Sequence, residues 1–491
     1  MKFLIQFFLC GILSSFLFPP FFITPLGFII FPYLFFLVNK KKYKSYGYYF
    51  HFLSGFFYGL GLLVIFLAWI KEPFLIDENT KYFAIFSYLL IIYCSLYFGI
   101  IFCCLKYFKS RILKFIILPF LFVISEFICG NLSYGFPWIS YSLINSGNFF
   151  GLSIIYYFGT YGLSFITIFI FLFPSLFISI NYKKYKYLLT FILSLFLLLL
   201  LLIIFRTNYI YNAKVSQNKF IDVSIVQLNL STNQYKNESN IKSTYNEIIR
   251  VIQNNNSEII IFGENNYPYV VSDIKQLKSI QTIIPLNKTV IMGLTRKDNN
   301  KYFNSFVILT RDSINKFDKK ILVPFGEFIP FRKIFNFMDF VAGTNDYSSG
   351  NDKRILMGDN IKILPIICYE IIYFWRLLNE DNISSDIIVN ITNDGWFGNF
   401  SGPYQHLYFT KLRAAEFNKP IIRVSNSGIS ANINNFGNIV SFININKKQE
   451  KKIKVEHSSF KNNFLIIHKL FYYFIFLMLI FVLILNKKNE S

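Results

Sequence analysis

Eight stretches of this chain are apolar enough, and nearly long enough, to be membrane spans, and they constrain its architecture more than any other feature. A helix needs roughly 20 apolar residues to cross about 30 Å of hydrocarbon. The stretches lie at 3–18, 21–38, 48–70, 82–105, 112–129, 153–180, 187–205 and 464–485. Pro19-Pro20 divides the first two. A charged Met1-Lys2 start before an apolar run also fits a signal peptide, but no small-residue cleavage site follows, so both are read as spans. Leu9 stands where lipid attachment at Cys10 requires a small residue, which argues against that modification. With 54% hydrophobic and 15% charged residues the chain lies outside the soluble globular class. Only 221–456 has ordinary globular composition. The expected organisation is therefore a membrane domain of seven helices at 1–206, a globular domain at 220–456 and an eighth helix at 464–485.

Basic residues orient such a protein, because Lys and Arg collect in cytoplasmic loops. With the N-terminus inside, the inside segments carry Lys40, Lys41, Lys42, Lys44, Lys106, Lys109, Arg111, Lys114, Lys183, Lys184, Lys186, Lys487 and Lys488. The outside loops 71–81 and 130–150 hold only Lys71 and Lys81. The globular region then faces outward and both termini face the cytoplasm. The net charge of +22 sits largely in those loops and at membrane ends, so it points to anionic headgroups and to no nucleic acid.

Five of the six cysteines, Cys10, Cys94, Cys103, Cys104 and Cys129, fall in expected spans, where a small buried hydrophobe is the ordinary role. The globular region has one, Cys368, which can form no internal disulfide there. Short Ile/Val-rich runs alternate with longer mixed stretches in this region, the pattern of an α/β domain. Strands are expected at 221–229, 258–263, 289–295, 304–310, 362–368, 387–392 and 420–426, and helices at 236–254 and 404–418. The Asn/Lys-rich patches at 297–301 and 445–454 read as solvated loops or a linker.

Three polar residues close or follow apolar strands, where α/β enzymes often hold their chemistry. Glu264 ends EIIIFGE, Lys319 lies in FDKKILVPFGE and Cys368 ends ILPIIC. Each taken singly reads equally well as a cap, a surface charge or a buried thiol. His406, opening a helix, reads as a capping or packing residue.

Taken together and in this order, the three resemble the Glu-Lys-Cys set of the nitrilase superfamily, and the surrounding motifs resemble its membrane-bound branch, apolipoprotein N-acyltransferase. The similar segments are LVPFGE at 322–327, ICYE at 367–370, NDGWFG at 393–398, GPYQH at 402–406, LRAAE at 412–416, IRVSNSGIS at 422–430 and YGFPWISYS at 134–142. Two departures stand out. Phe262-Gly263-Glu264 replaces the family's usual Trp-Pro-Glu, and the arginine that often follows the membrane glutamate is missing near Glu126, which receives no role. The resemblance implies an αββα sandwich beside the eight spans and no metal or cofactor. It implies a monomer in the inner cell membrane, a phosphatidylethanolamine-type acyl donor and the amine of a diacylglyceryl-cysteine apolipoprotein as acceptor. It makes Glu327 the residue that holds Lys319, and Tyr369 and Glu370 contributors beside the nucleophile.

The chemistry suits these side chains. Moving an acyl group from ester to amine without losing it to water favours a covalent carrier, and a thiolate forms a thioester readily. Cys368 then needs a base, supplied by Glu264, and its tetrahedral oxyanion needs a donor, supplied by Lys319 and the Tyr369 N–H. A membrane-tethered amidase would use the same three residues but leaves the spans unexplained. A transporter or scaffold would carry more ionisable groups within its spans than His51 and Glu126. FRKIFNFMDF at 331–340 and YFWRLL at 373–378 are aromatic enough to rest among lipid headgroups. If the first is a lipid-facing lid, replacing Phe335, Phe337 and Phe340 by Ser impairs lipid use in an acyl-transfer assay while leaving the domain folded; undiminished transfer would refute the lid.

Overall fold

Every one of the eight apolar stretches carries helix in the computed structural model, which describes residues 1–179, 186–215, 219–231, 237–333, 345–357, 361–377, 384–457 and 465–488. Among the described residues, four helices, Tyr48–Phe66, Glu78–Tyr107, Arg111–Asn131 and Phe149–Phe177, are long and apolar enough to cross a membrane. Lys2–Ser15, Thr24–Asn39, Leu193–Asn208 and Leu465–Phe481 are apolar but shorter. Two units divide the chain. Met1–Lys71, Ala84–Ala213 and Asn463–Ser491 form the helical one, and Glu72–Phe83 with Lys214–Asn462 form the other.

Within the helical unit, Tyr48–Phe66 packs against both Lys2–Ser15 and Ser87–Tyr107. In hydrocarbon no hydrophobic force drives helices together, so close backbone approach has to supply the packing. Glycines permit it: a Cβ on Gly11 would lie 2.1 Å from the Tyr58 carbonyl oxygen, and one on Gly61 would lie 2.2 Å from that of Phe8. The GFPW segment is held by a buried carboxylate. Glu126 accepts from the Tyr141 N–H at 2.7 Å, from Ser164 Oγ at 3.0 Å and from Ser140 Oγ at 3.2 Å. Trp138 is fully buried against Trp69, ring centroids 4.5 Å apart. Glu126, left without a role from sequence, thus joins the segment after its own helix to the helix Phe149–Leu172.

In the second unit, two six-stranded sheets face each other. The first has the order β12-β1-β2-β3-β4-β5, with β1 Lys219–Gln227, β2 Ile259–Phe262, β3 Thr289–Asp298, β4 Lys301–Leu309, β5 Ile314–Asp318 and β12 Gln449–His457. The second has the order β11-β10-β9-β8-β7-β6, with β6 Leu356–Met357, β7 Lys362–Ile367, β8 Ile387–Thr392, β9 Ile421–Ser425, β10 Ser430–Ile433 and β11 Ile439–Ile443. β1, β2 and β3 run parallel, as do β7, β8 and β9, and the outer strands are antiparallel. Strands buried on both faces read as unbroken apolar runs, which is why β2, β7 and β8 are visible in the sequence.

A helix covers each sheet, giving the αββα layering. Glu238–Asn254 is capped by the Asn237 side chain and lays Ile248, Val251 and Ile252 on Val226, Ile260, Met292 and Val307. Gly402–Phe417 packs on β9 and ends at Asn418 in the left-handed conformation, φ 54°.

Two expectations about loops change. The patch 445–454 is no linker, since 449–457 forms β12, paired with all of β1. Ile453 and Val455 point inward while the intervening lysines guard an edge strand, and those lysines hid the alternation. The patch 297–301 belongs mostly to strands, with Asn299 and Asn300, both at positive φ, forming a two-residue hairpin turn. β5, β6, β10 and β11 were also unforeseen, being short and half polar.

The glycine contact makes a measurable claim. Gly61→Leu should lower the thermal midpoint in detergent through overpacking of about 1–3 kcal/mol. Gly47→Ala, where a side chain meets nothing within 4 Å, should leave it unchanged. Equal midpoints for both variants would contradict the close approach.

Candidate active site

Ends of strands from both sheets supply the polar cluster. Glu264 stands two residues past β2, Lys319 directly follows β5, and Cys368 directly follows β7 and opens the one-turn helix Cys368–Ile372. All three are buried, Lys319 almost completely. Lys319 Nζ lies 2.8 Å from Glu327 Oε2 and 3.8 Å from Glu264 Oε1. Asn304 on β4 donates through Nδ2 to Glu264 at 2.7 Å and to Glu327 at 2.9 Å, and its carbonyl accepts the Lys319 N–H at 2.8 Å. The Val323 N–H fixes the other Glu327 oxygen at 2.8 Å. The structure therefore brings Glu264, Lys319, Glu327 and Cys368 together and adds Asn304, which sequence reasoning missed. Its only signal was an amide inside the apolar run of β4.

Electrostatics sort these groups. Burial works against the Lys319 charge, yet the Glu327 and Glu264 carboxylates outweigh it and hold the ammonium above the usual lysine range. Burial raises the Glu264 carboxyl, opposed by Lys319 and assisted by Glu327. The Cys368 thiol is pushed up by burial and by the charge of Glu264. At neutral pH the cluster therefore holds a cationic lysine and a protonated thiol facing a carboxyl group.

Backbone features hold the elbow. Cys368 has φ 51°, a left-handed conformation that costs on the order of 1–2 kcal/mol for a residue with a side chain. Glu370 restrains it, accepting from the N–H groups of Ile367 at 3.0 Å, Lys320 at 2.9 Å and Ile321 at 3.2 Å, and from both ends of the Arg354 guanidinium at 2.9 Å. The buried Glu370 carboxylate thus ties the cysteine turn to the lysine turn. The Tyr369 side chain packs edge-on against Tyr373, whose hydroxyl donates to it at 3.3 Å. Before Glu264, where Phe262-Gly263 departs from the family pattern, the Gly263 N–H donates to Asn266 Oδ1 at 2.8 Å. A Cβ on Gly293 of β3 would sit 2.6 Å from the Glu264 Cα, so that strand passes flush beneath the residue.

Behind Cys368 lies a second buried cluster. Asp394 pairs with Arg423 and, at 2.9 Å, with His406 Nδ1, while His406 Nε2 lies 3.2 Å from the Cys368 carbonyl oxygen. His406 is thus a packed interior histidine, as read from sequence. Asp394 and Arg423 were not singled out, although an arginine within the buried strand IIRVS was the available signal.

Of the two aromatic segments, 334–340 lies outside the described residues. In the other, Tyr373, Phe374 and Leu377 are buried core residues, while Trp375 is half-buried and Arg376 exposed; residue 378 is outside the described residues.

Known proteins resemble this chain over most of its length. Residues 10–173 match the model of the apolipoprotein N-acyltransferase N-terminal domain, and residues 222–459 match that of carbon-nitrogen hydrolase. The apolipoprotein N-acyltransferase of Rickettsia typhi is 32% identical over 90% of this chain and 89% of its own length. The chain belongs to the apolipoprotein N-acyltransferase family. The enzyme of the same name from Wigglesworthia glossinidia brevipalpis is likewise 32% identical, over 79% of each chain, and that from Rickettsia prowazekii is 31% identical over 89% of each. As a member of the apolipoprotein N-acyltransferase family the chain is a membrane protein and an acyltransferase with a carbon-nitrogen hydrolase domain.

The Asp394 cluster carries a pH signature. Burial alone would raise this carboxyl, but Arg423 and His406 outweigh it and hold it down at about 2, against 3.8 unperturbed. A depressed carboxylate contributes its stability above the unfolded value and loses it as the pH falls through the folded one, about 2 kcal/mol here. The difference in thermal midpoint between the native protein and Asp394→Asn should be constant above about pH 4 and narrow between pH 4 and pH 2. A difference that widens over that interval would reverse the sign.

Proposed function

We propose that this protein transfers a fatty acyl chain from a membrane phospholipid, through a Cys368 thioester, to the N-terminal amine of diacylglyceryl-cysteine apolipoproteins. The observation that carries the reading is the buried Lys319 ammonium, held between Glu327 and Glu264 and close enough to Cys368 to feel its charge, in a chain of this family.

In the first half-reaction Glu264 takes the thiol proton as Cys368 Sγ attacks the ester carbonyl. The tetrahedral oxyanion is met by Lys319 Nζ and the Tyr369 N–H. On its collapse the ester C–O bond breaks, Glu264 returns the proton to the departing lysophospholipid oxygen, and the acyl group remains on sulfur. In the second half the acceptor amine attacks the thioester, Glu264 removes a proton from nitrogen, the C–S bond breaks and the thiolate is reprotonated. Glu327 keeps Lys319 charged and in place, and Glu370 with Arg354 keeps the elbow rigid. Tyr369 contributes its N–H, its ring serving to pack the turn. No cofactor or metal enters either step.

The same reading places the enzyme as a monomer in the inner membrane. Residues 1–206 and 464–485 supply eight spans, both termini are cytoplasmic, and the domain at 220–456 is extracytoplasmic. The asymmetry of Lys and Arg between loops supports that orientation.

Intact-mass spectrometry after incubation with phospholipid tests the chemistry. A hydroxylamine-labile acyl adduct is expected on the native protein and none on Cys368→Ser. Lys319→Met should slow adduct formation by about 10²–10³-fold, the usual effect of losing an oxyanion donor. Absence of the adduct from native protein that demonstrably binds lipid would remove the thioester route, and release of ammonia from a simple amide would favour an amidase.

A further inference from the structure

Neither half-reaction makes direct use of His406, yet it is buried against Cys368. Its Nε2 faces the Cys368 carbonyl oxygen at 3.2 Å. That oxygen can only accept, so the contact is a hydrogen bond in the tautomer that carries its hydrogen on Nε2, with Nδ1 accepting from Arg423. Around the other side, Nδ1 lies 2.9 Å from Asp394 Oδ1 and 3.2 Å from Arg423 Nη2. Arg423 is itself anchored to Asn390 Oδ1 at 2.9 Å, Thr410 Oγ1 at 3.3 Å and the Ile429 carbonyl at 3.2 Å. The Phe397 ring meets the imidazole edge to face, centroids 5.5 Å apart. His406 is therefore immobilised by β8, β9 and its own helix, with one N–H aimed at the nucleophile's backbone.

The carbonyl it grips belongs to a particular peptide. A trans peptide is planar, and the C=O of one residue points opposite to the N–H of the next. The Cys368 carbonyl and the Tyr369 N–H are the two ends of one such unit. Fixing the carbonyl fixes the direction of the N–H, at a residue whose positive φ leaves the turn otherwise strained. A hydrogen bond to the oxygen also polarises the amide and makes its N–H a better donor.

We infer that His406 is a positioning residue for the acyl-transfer reaction: through the Cys368 carbonyl it aims and polarises the Tyr369 N–H that receives the oxyanion. The inference rests on the acyl-enzyme reading above. It does not make His406 a base, since its ring meets the carbonyl and not the thiol.

Two amide replacements separate this role from simple packing. Glutamine extends its amide to the place of Nε2, and asparagine reaches only the place of Nδ1. In the full-length protein, His406→Gln should form the acyl adduct from phospholipid within about fivefold of the native rate, while His406→Asn should be about a hundredfold slower. Alkylation of Cys368 by iodoacetamide passes through no oxyanion, so it should change by less than about threefold in both. Equal acylation rates for the two variants, or alkylation falling in step with acylation, would overturn the inference. Failure of the native protein itself to acylate would instead remove the reading on which it rests.

Discussion

A lysine ammonium buried to near completion is the constraint around which the catalytic unit is built. Taking such a charge from water costs several kcal/mol unless counter-charges and hydrogen bonds replace the lost hydration. Lys319 meets that requirement with Glu327 at hydrogen-bond distance and Glu264 one ångström further out. Asn304 bridges both carboxylates, so neither can turn away without losing a hydrogen bond. The strands follow from this: β2, β4 and β5 end or pass where these side chains meet, and Gly293 allows β3 to run flush under Glu264.

The same grouping dictates the proton inventory. Two carboxylates against one ammonium leave the surroundings of Cys368 without the surplus positive charge that would stabilise a thiolate, and burial adds to the penalty. In the proposed reaction, attack by Cys368 is therefore coupled to proton transfer to Glu264. A resting protonated thiol also resists oxidation and stray alkylation, which follow thiolate character. The cluster of Asp394, His406 and Arg423 lies behind Cys368 and reaches its carbonyl oxygen through His406.

The helical unit relies on different forces. Gly11 and Gly61 let backbones touch where hydrophobic burial contributes nothing, and Glu126 gathers the polar N–H and hydroxyl groups of a non-helical segment that lipid could not satisfy. The arginine absent near Glu126 is not needed to hold that carboxyl, because three donors already do so.

The amino-acid sequence by itself determined the apolar helices, the α/β character of the globular region, the strands buried on both faces, and Glu264, Lys319 and Cys368 as residues at strand ends. Those features are local, expressed as unbroken apolar runs and as polar residues that terminate them. The edge strand β12 was hidden because its outward lysines resemble a linker, and β10 and β11 are too short to show a period. Only the tertiary structure decided that Asn304 bridges the two glutamates, that Glu370 pairs with Arg354, and that His406 grips the Cys368 carbonyl. Each of those contacts joins residues that have no periodic relation in the chain. Whether a buried polar side chain is a cap, a brace or part of a site depends on which partner the packing of the two sheets places within 3 Å, and that distance is set by the whole fold.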